Sequence, residues 1–335
     1  MRQEYAQSKS TESFKSYAQR TKAQIESELA KLVSHFSELN IYPQIRYSVL
    51  SEGKRLRPML TIVSAESVGG KRDKVMPLAL AFELMHTATL VHDDVIDRDE
   101  VRRGRPSVHK KWSVNDAILT GDALIALSVE LASSYGERIL KTVARSALEL
   151  CDGEHMDITF SLKTATEQSY FKRIKEKSAS LFRAAAYGGA LAGGGTASEA
   201  RSLSTFGENF GIAYQLRDDL LDLTQKGKIG LEDLECDRIT LPLIHLYATS
   251  KPSEREQIES KICFSANGNH VDEREMHDLL HAIGQTNVFD YCEKKIDEHL
   301  RRAVSSLLAL RETEYKSYLV EMTKALKNGA SVKAR

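Results

Sequence analysis

The sequence predicts an all-α fold, and three observations carry that expectation. Apolar residues recur mostly at helical spacing along the chain. Six prolines in 335 residues leave room for long uninterrupted helices. No internal repeat and no low-complexity linker divides the chain, so residues 1–335 read as one domain.

Composition narrows the function. Hydrophobic content of 41% and charged content of 28% are ordinary for a globular protein. Lys plus Arg equals Asp plus Glu at 47 each, so no net field draws nucleic acid or an anionic membrane. The first residues are polar, without an apolar core of signal-peptide length, and no uninterrupted apolar run is long enough to span a bilayer. The four cysteines, Cys151, Cys236, Cys263 and Cys292, lack CxxC spacing and read as reduced thiols of a cytoplasmic protein.

The elements follow in order. Ile25, Leu29, Leu32, Val33 and Phe36 mark an amphipathic helix from Phe14 to Leu39, ended by Pro43. Gly53-Lys54-Arg55-Leu56-Arg57-Pro58 follows as a basic turn, with Pro58 in the first turn of a helix running to Ala65. Lys and Arg forks so close together suit either a solvated turn or a diphosphate clamp. After Gly69-Gly70-Lys71, an apolar helix from Val75 ends in Asp93-Asp94-Val95-Ile96-Asp97. On that helix His86 and Phe82 lie about 20° from Asp93 and Thr89 about 40°, so all share the acidic face. Arg98 to His109 reads as a loop carrying Arg102, Arg103 and Arg105. Helical patterns resume at Asn115–Ser133, interrupted by Gly121-Asp122, and at Ala147–Phe160, with Gly153-Glu154 and Asp157. Tyr170–Leu191 is a further helix that holds Lys177-Ser178 in an apolar stretch. Gly193-Gly194-Gly195 is followed by no Lys-Ser/Thr and preceded by no strand, which makes it a helix break and no phosphate loop.

Phe210 to Leu223 ends in a second acidic pattern, Asp218-Asp219-Leu220-Leu221-Asp222, preceded by Gln215. One such cluster is weak evidence, since acidic helix ends are common on surfaces. Two, each closing an apolar helix, are costly unless they face one another across shared hard cations. Lys226, Lys228, Asp233 and Arg238-Ile239-Thr240-Leu241-Pro242 follow as a polar loop, and the remainder is helical. His277 and His281 sit four apart without a third ligand or an HExxH pattern, so a zinc pair there is disfavoured.

In this order the motifs resemble the trans-isoprenyl diphosphate synthase, or polyprenyl synthetase, family over roughly residues 50–246. The basic motif is Gly53-Lys54-Arg55-Leu56-Arg57-Pro58 and the first aspartate motif is Asp93–Asp97 with Arg102-Arg103-Gly104. Lys177-Ser178 stands where the family usually has Lys-Thr, and Gln215 with Asp218, Asp219 and Asp222 matches the second aspartate motif, continued by Thr240-Leu241-Pro242. The resemblance implies a helical bundle with a central cavity, a homodimer, and prenyl transfer from an allylic diphosphate to isopentenyl diphosphate. It implies Mg²⁺, about three ions per site, held by Asp93, Asp94, Asp97, Asp218, Asp219 and Asp222. It implies direct contacts to the allylic diphosphate from Arg102, Lys177 and Lys228, and an isopentenyl diphosphate site at Gly53, Lys54, Arg57, His86 and Arg103. Gln215 and the Ser178 hydroxyl would stabilise the allylic cation as dipoles. The loop 227–233 lacks a glycine at its usual place, which weakens the assignment of Lys228 and Asp233.

In the family, the residues four and five before the first aspartate help set pocket depth. Thr89 and Ala88 are small here, which disfavours a product stopped at farnesyl diphosphate. Phe82, about 16 Å down the helix from Asp93, is the expected floor. The expected product has about four to seven isoprene units. Farnesyl or geranylgeranyl synthesis, a terpene cyclase and a non-catalytic modulating subunit are the competing readings.

Overall fold

The computed structural model describes residues 12–225, 239–266 and 287–328, with side chains at 222–225 and 260–266 left aside. Lys226, Lys228, Asp233, Arg238, His277 and His281 lie outside the described residues.

The described chain is helical apart from one short hairpin. The N-terminal helix α1 (Phe14–Ser34) starts on Ser13, whose side chain accepts from the Ser16 amide. It ends before Leu39, and Pro43 does not terminate it: Pro43 sits in the first turn of α2 (Tyr42–Val49), where its missing N–H costs nothing. Helix α3 (Leu56–Ser67) follows the basic turn, with Pro58 in its first turn as expected. Arg55, at the start of α3, has φ 52° and is buried, its guanidinium 2.6 Å from Glu83. That guanidinium also donates to the Val49 and Ser51 carbonyls at the end of α2, which fixes the turn between the two helices.

Helix α4 (Arg72–Ile96) is the central element, and most of its apolar side chains are buried. By length and composition it could cross a membrane, yet 72% of its most apolar window is buried inside the protein. Val101–Arg102 and Arg105–Pro106 then pair antiparallel, so part of the expected loop is a hairpin, followed by a single helical turn, α5 (Val108–Lys111). Helix α6 (Val114–Ser133) runs unbroken through Gly121. The glycine is a contact point and no interruption: a Cβ there would lie 2.0 Å from the His92 ring, so its absence lets α4 and α6 close on each other.

Helix α7 (Glu137–Ile158) begins earlier than expected. Helices α8 (Glu167–Ile174) and α9 (Ser180–Ala192) are joined by a π turn over Lys175–Ala179, and a glycine break leads into α10 (Ala197–Gln225). Beyond it lie α11 (Leu241–Thr249), α12 (Pro252–Ala266), α13 (Val288–Ser306) and α14 (Glu314–Lys327). Leu78, Phe82 and Met85 of α4 pack with Leu181 and Ala185 of α9, and Phe182 of α9 packs with Phe206 and Phe210 of α10. These contacts bring the C-terminal ends of α4 and α10 to one mouth.

Candidate active site

A cavity of about 680 Å³ opens between α4, α6, α7, the π turn and α10. Its mouth is charged and its depth apolar. Asp93 and Asp97 reach it from α4, and Asp218 and Asp219 reach it from α10. The two acidic motifs thus face a common space, as their pairing in the sequence required. Asp222 lies on α10, and its side chain is not described.

The aspartates have different surroundings. Asp93 is pushed up to about 7, by burial first and then by the charge of Glu154. Asp94 does not line the cavity: it is buried at 3% exposure, and Arg102 donates to its Oδ1 at 2.6 Å. Arg102 also reaches Asp99 at 2.9 Å, so two carboxylates hold its fork at the cavity wall. Burial pushes Asp219 up to about 6, against the hydrogen bonds it accepts from Tyr170 and Gln215. Among the described residues no three His, Cys, Asp or Glu side chains cluster tightly enough to hold an ion alone. Such spaced carboxylates suit Mg²⁺, which keeps coordination positions for water and phosphate oxygens.

A cationic rim stands opposite. Arg57, His86, Arg102 and Arg103 all line the cavity. Arg57 stacks over the Phe182 ring at 4.3 Å, and burial lowers it to about 10. Arg103, at φ 54°, donates to Ser51 at 3.0 Å. Gly53 makes room for it: a Cβ there would sit 3.0 Å from the Arg103 guanidinium. Lys54 is exposed and 3.2 Å from the hydroxyl of Tyr214, itself a lining residue. Burial and the charges of Arg57 and Arg103 hold His86 well below the ordinary histidine range, so it is a neutral imidazole.

Lys177 and Ser178 project from the π turn. The extra residue of that turn re-aims them into the cavity, a common use of π turns. Two residues outside the expected site hold the lysine: Glu154 at 2.8 Å, and Asp157. Burial works to discharge Lys177, but Asp157, Glu154 and Asp93 hold it above the ordinary lysine value. Gly153 lets α7 come this close, since a Cβ there would lie 2.3 Å from the Lys177 amide nitrogen. Arg173, also outside the expected set, bridges Asp157 at 2.5 Å and the Ile239 carbonyl at 2.7 Å, anchoring the segment that carries Thr240. Spacing on α7, where Glu154 and Asp157 lie three apart on one face, was the available signal.

The depth of the cavity differs from expectation. Thr89 lines it, but Ala88, one residue and about 100° away, packs instead against the α1–α3 side. Met85, Ile125, Ala147, Leu150 and Leu181 line the apolar end. Phe82 does not reach it; fully buried, it lies in the layer behind Met85 and Leu181.

Residues 39–280 match the polyprenyl synthetase family. The chain belongs to that family. It is 40% identical to the geranylgeranyl diphosphate synthase of Methanosarcina mazei over 62% of this chain and 67% of that one. It is 29% identical to the octaprenyl diphosphate synthase of Escherichia coli over 85% of this chain and 88% of that one. The geranylgeranyl pyrophosphate synthetase of Pyrococcus horikoshii superposes with a TM-score of 0.85 at 28% identity, covering 94% of this chain and 98% of its own. The protein is a prenyltransferase of the trans-prenyl diphosphate synthase type with an all-α fold.

Proposed function

We propose that this single-domain prenyltransferase condenses isopentenyl diphosphate with an allylic diphosphate, head to tail, and releases a product longer than farnesyl diphosphate, of about four to seven isoprene units. The observation that carries this reading is the pairing of Asp93 and Asp97 with Asp218 across one cavity whose other rim is cationic. Carboxylates on both sides of a mouth accept a metal-bound diphosphate; guanidinium forks accept a second diphosphate directly.

Asp93, Asp97, Asp218 and Asp222 would hold Mg²⁺, with Asp94 and Asp219 completing the acidic walls. Mg²⁺, when bound, draws charge off the departing diphosphate. Arg102 and Lys177 orient that diphosphate, and Lys228 is proposed to join them. Lys54, Arg57 and Arg103 hold isopentenyl diphosphate so that its double bond faces the allylic carbon. Neutral His86 donates a hydrogen bond without adding a charge. Ser178 and Gln215 present dipoles to the allylic cation, and the apolar depth keeps water from it.

The growing chain runs down from Thr89 past Met85, a flexible apolar residue of the lining about 12 Å below Asp93 along α4. Met85 is unbranched and adaptable, so it yields further than an aromatic would. The proposed homodimer finds support in α6, whose outward face exposes Val114, Ile118 and Leu119 at 48%, 44% and 57%. The free, unpaired Cys151 and Cys292 fit the proposed cytoplasmic setting.

The test is incubation with Mg²⁺, farnesyl diphosphate and labelled isopentenyl diphosphate, with chromatography of the dephosphorylated products. Elongated products of about four to seven units are expected. Folded protein that yields none, from farnesyl or from dimethylallyl diphosphate, would point to the modulating-subunit reading. Labelled farnesyl from dimethylallyl diphosphate with no longer product, or products of about eight or more units, would overturn the length.

A further inference from the structure

Tyr170 is fully buried, outside the cavity, and outside every motif that led to the site. Its hydroxyl donates to Asp219 Oδ2 at 2.5 Å. Asp219 Oδ1 accepts from Gln215 Nε2 at 2.7 Å, and Gln215 Oε1 accepts from the Ser178 hydroxyl at 2.6 Å. These bonds make a chain that starts in the core and ends at the cavity, which Ser178 and Gln215 both line.

The chain has a direction. A carboxylate only accepts, so Gln215 must turn its NH₂ group toward Asp219 and its carbonyl toward Ser178. Which way an amide points is normally an assignment; the acceptor next to it removes the choice. The Gln215 carbonyl in turn accepts the hydrogen bond that the Ser178 hydroxyl donates. What Ser178 has left for the cavity is an oxygen lone pair. Serine, which is not β-branched, reaches its χ1 wells more freely than threonine, so this bond does the orienting.

We propose that Tyr170 is a positioning residue that sets the polarity of the Tyr170–Asp219–Gln215–Ser178 chain, so that Ser178 offers a lone pair, and no proton, to the allylic carbon as it becomes cationic. The proposal rests on the prenyl-transfer reading and adds Tyr170 and the direction of the chain to it. Tyr170 touches no substrate. It fixes the Asp219 carboxylate from behind, in a place where a loose carboxylate would let the amide turn over.

Two measurements test it. The first is a double-mutant cycle of Tyr170→Phe and Ser178→Ala, read as kcat and KM with farnesyl and isopentenyl diphosphates. Tyr170→Phe is expected to lower kcat roughly tenfold with both KM values held within about twofold. In the Ser178→Ala background the same change is expected to cost little, because its target is gone. Multiplicative losses, or a loss confined to KM, overturn the proposal. The second needs no turnover: in spectra of ¹⁵N-glutamine-labelled protein, the Gln215 side-chain amide, assigned with Gln215→Leu, should move in Tyr170→Phe while distant glutamines stay. An unmoved Gln215 amide overturns the chain. Wild-type protein that fails to condense the diphosphates overturns the prenyl-transfer reading, and the spectrum still decides whether Tyr170 orients Gln215.

Discussion

The C-terminal ends of α4 and α10 carry the same five-residue acidic pattern, yet the protein secures their middle aspartates in opposite ways. Asp94 is held by a cation: Arg102, from the hairpin, donates to it and to Asp99. Asp219 is held by neutral donors, the Tyr170 hydroxyl and the Gln215 amide. An aspartate paired with a guanidinium belongs to a charge network that also holds Arg102 at the cavity wall. One held by dipoles passes on a direction instead of a charge. On the proposed reaction, one wall would bind the leaving group and the other would shape the field around the carbon it leaves.

The largest effect should come where the walls are alike. Asp93→Ala and Asp218→Ala are each expected to lower kcat by roughly 10³-fold or more with folding intact, because each removes a ligand from the shared charge-stabilising set. Full activity in either, measured by incorporation of labelled isopentenyl diphosphate, would refute the metal assignment. The middle positions should separate next. Arg102→Ala strands a buried carboxylate and is expected to cost about 1–3 kcal/mol in denaturant unfolding, discounted because Arg102 is 32% exposed. Tyr170→Phe removes one neutral donor and should cost less, about 1 kcal/mol. Equal losses would erase the contrast between the walls.

The walls should also respond to pH in the metal-free protein. Asp93 rises to about 7 and Asp219 to about 6. An acid whose folded value lies above its unfolded one binds more protons when folded. Its contribution is thus present at low pH and is lost as pH rises from about 4 through 6–7. Mg²⁺ with pyrophosphate should therefore raise the melting temperature more at pH 8 than at pH 6; the reverse order would show that cation binding does not relieve these carboxylates. The smallest effect, a shift in product length, lies below the walls. Met85→Ala should lengthen the product by about one or two units, and Phe82→Ala by less, since Met85 lines the cavity and Phe82 does not. A larger shift from Phe82→Ala would restore it as the floor.

Much of the site was legible because charge is costly to bury without a purpose. Asp93, Asp97, Asp218, Arg57, Arg103 and Lys177 stand out in an apolar context, and the structure gathers them at one cavity. The helical period placed His86 and Thr89 correctly. It also put Phe82 on that face, but Phe82 lies in the core behind the lining. Ala88 came from the resemblance, and the period itself turns it about 100° away from Thr89. Glu154 and Asp157 showed only their shared face, since the lysine they hold lies distant in sequence. Tyr170 was hidden altogether, because it acts through Asp219 and no local spacing announces that. Gly121 and Gly153 look like helix breakers, but they are places where two helices touch, and only the partner helix reveals it. Pro43 was given to the wrong end of a helix because proline suits both a stop and a first turn.

The π turn at Lys175–Ala179 also changes how its segment can be read. An inserted residue advances the chain by about 100° relative to an ideal helix. Residues 167–174 and 180–192 are thus out of phase, and no single helical wheel describes both. A wheel phased on Tyr170 would misplace the face that Phe182 presents to α10. The offset acts as a clutch between two stretches of helix. It lets α8 keep Tyr170 in the core beside Asp219 while α9 packs Leu181 under the cavity, with Lys177 and Ser178 turned out between them.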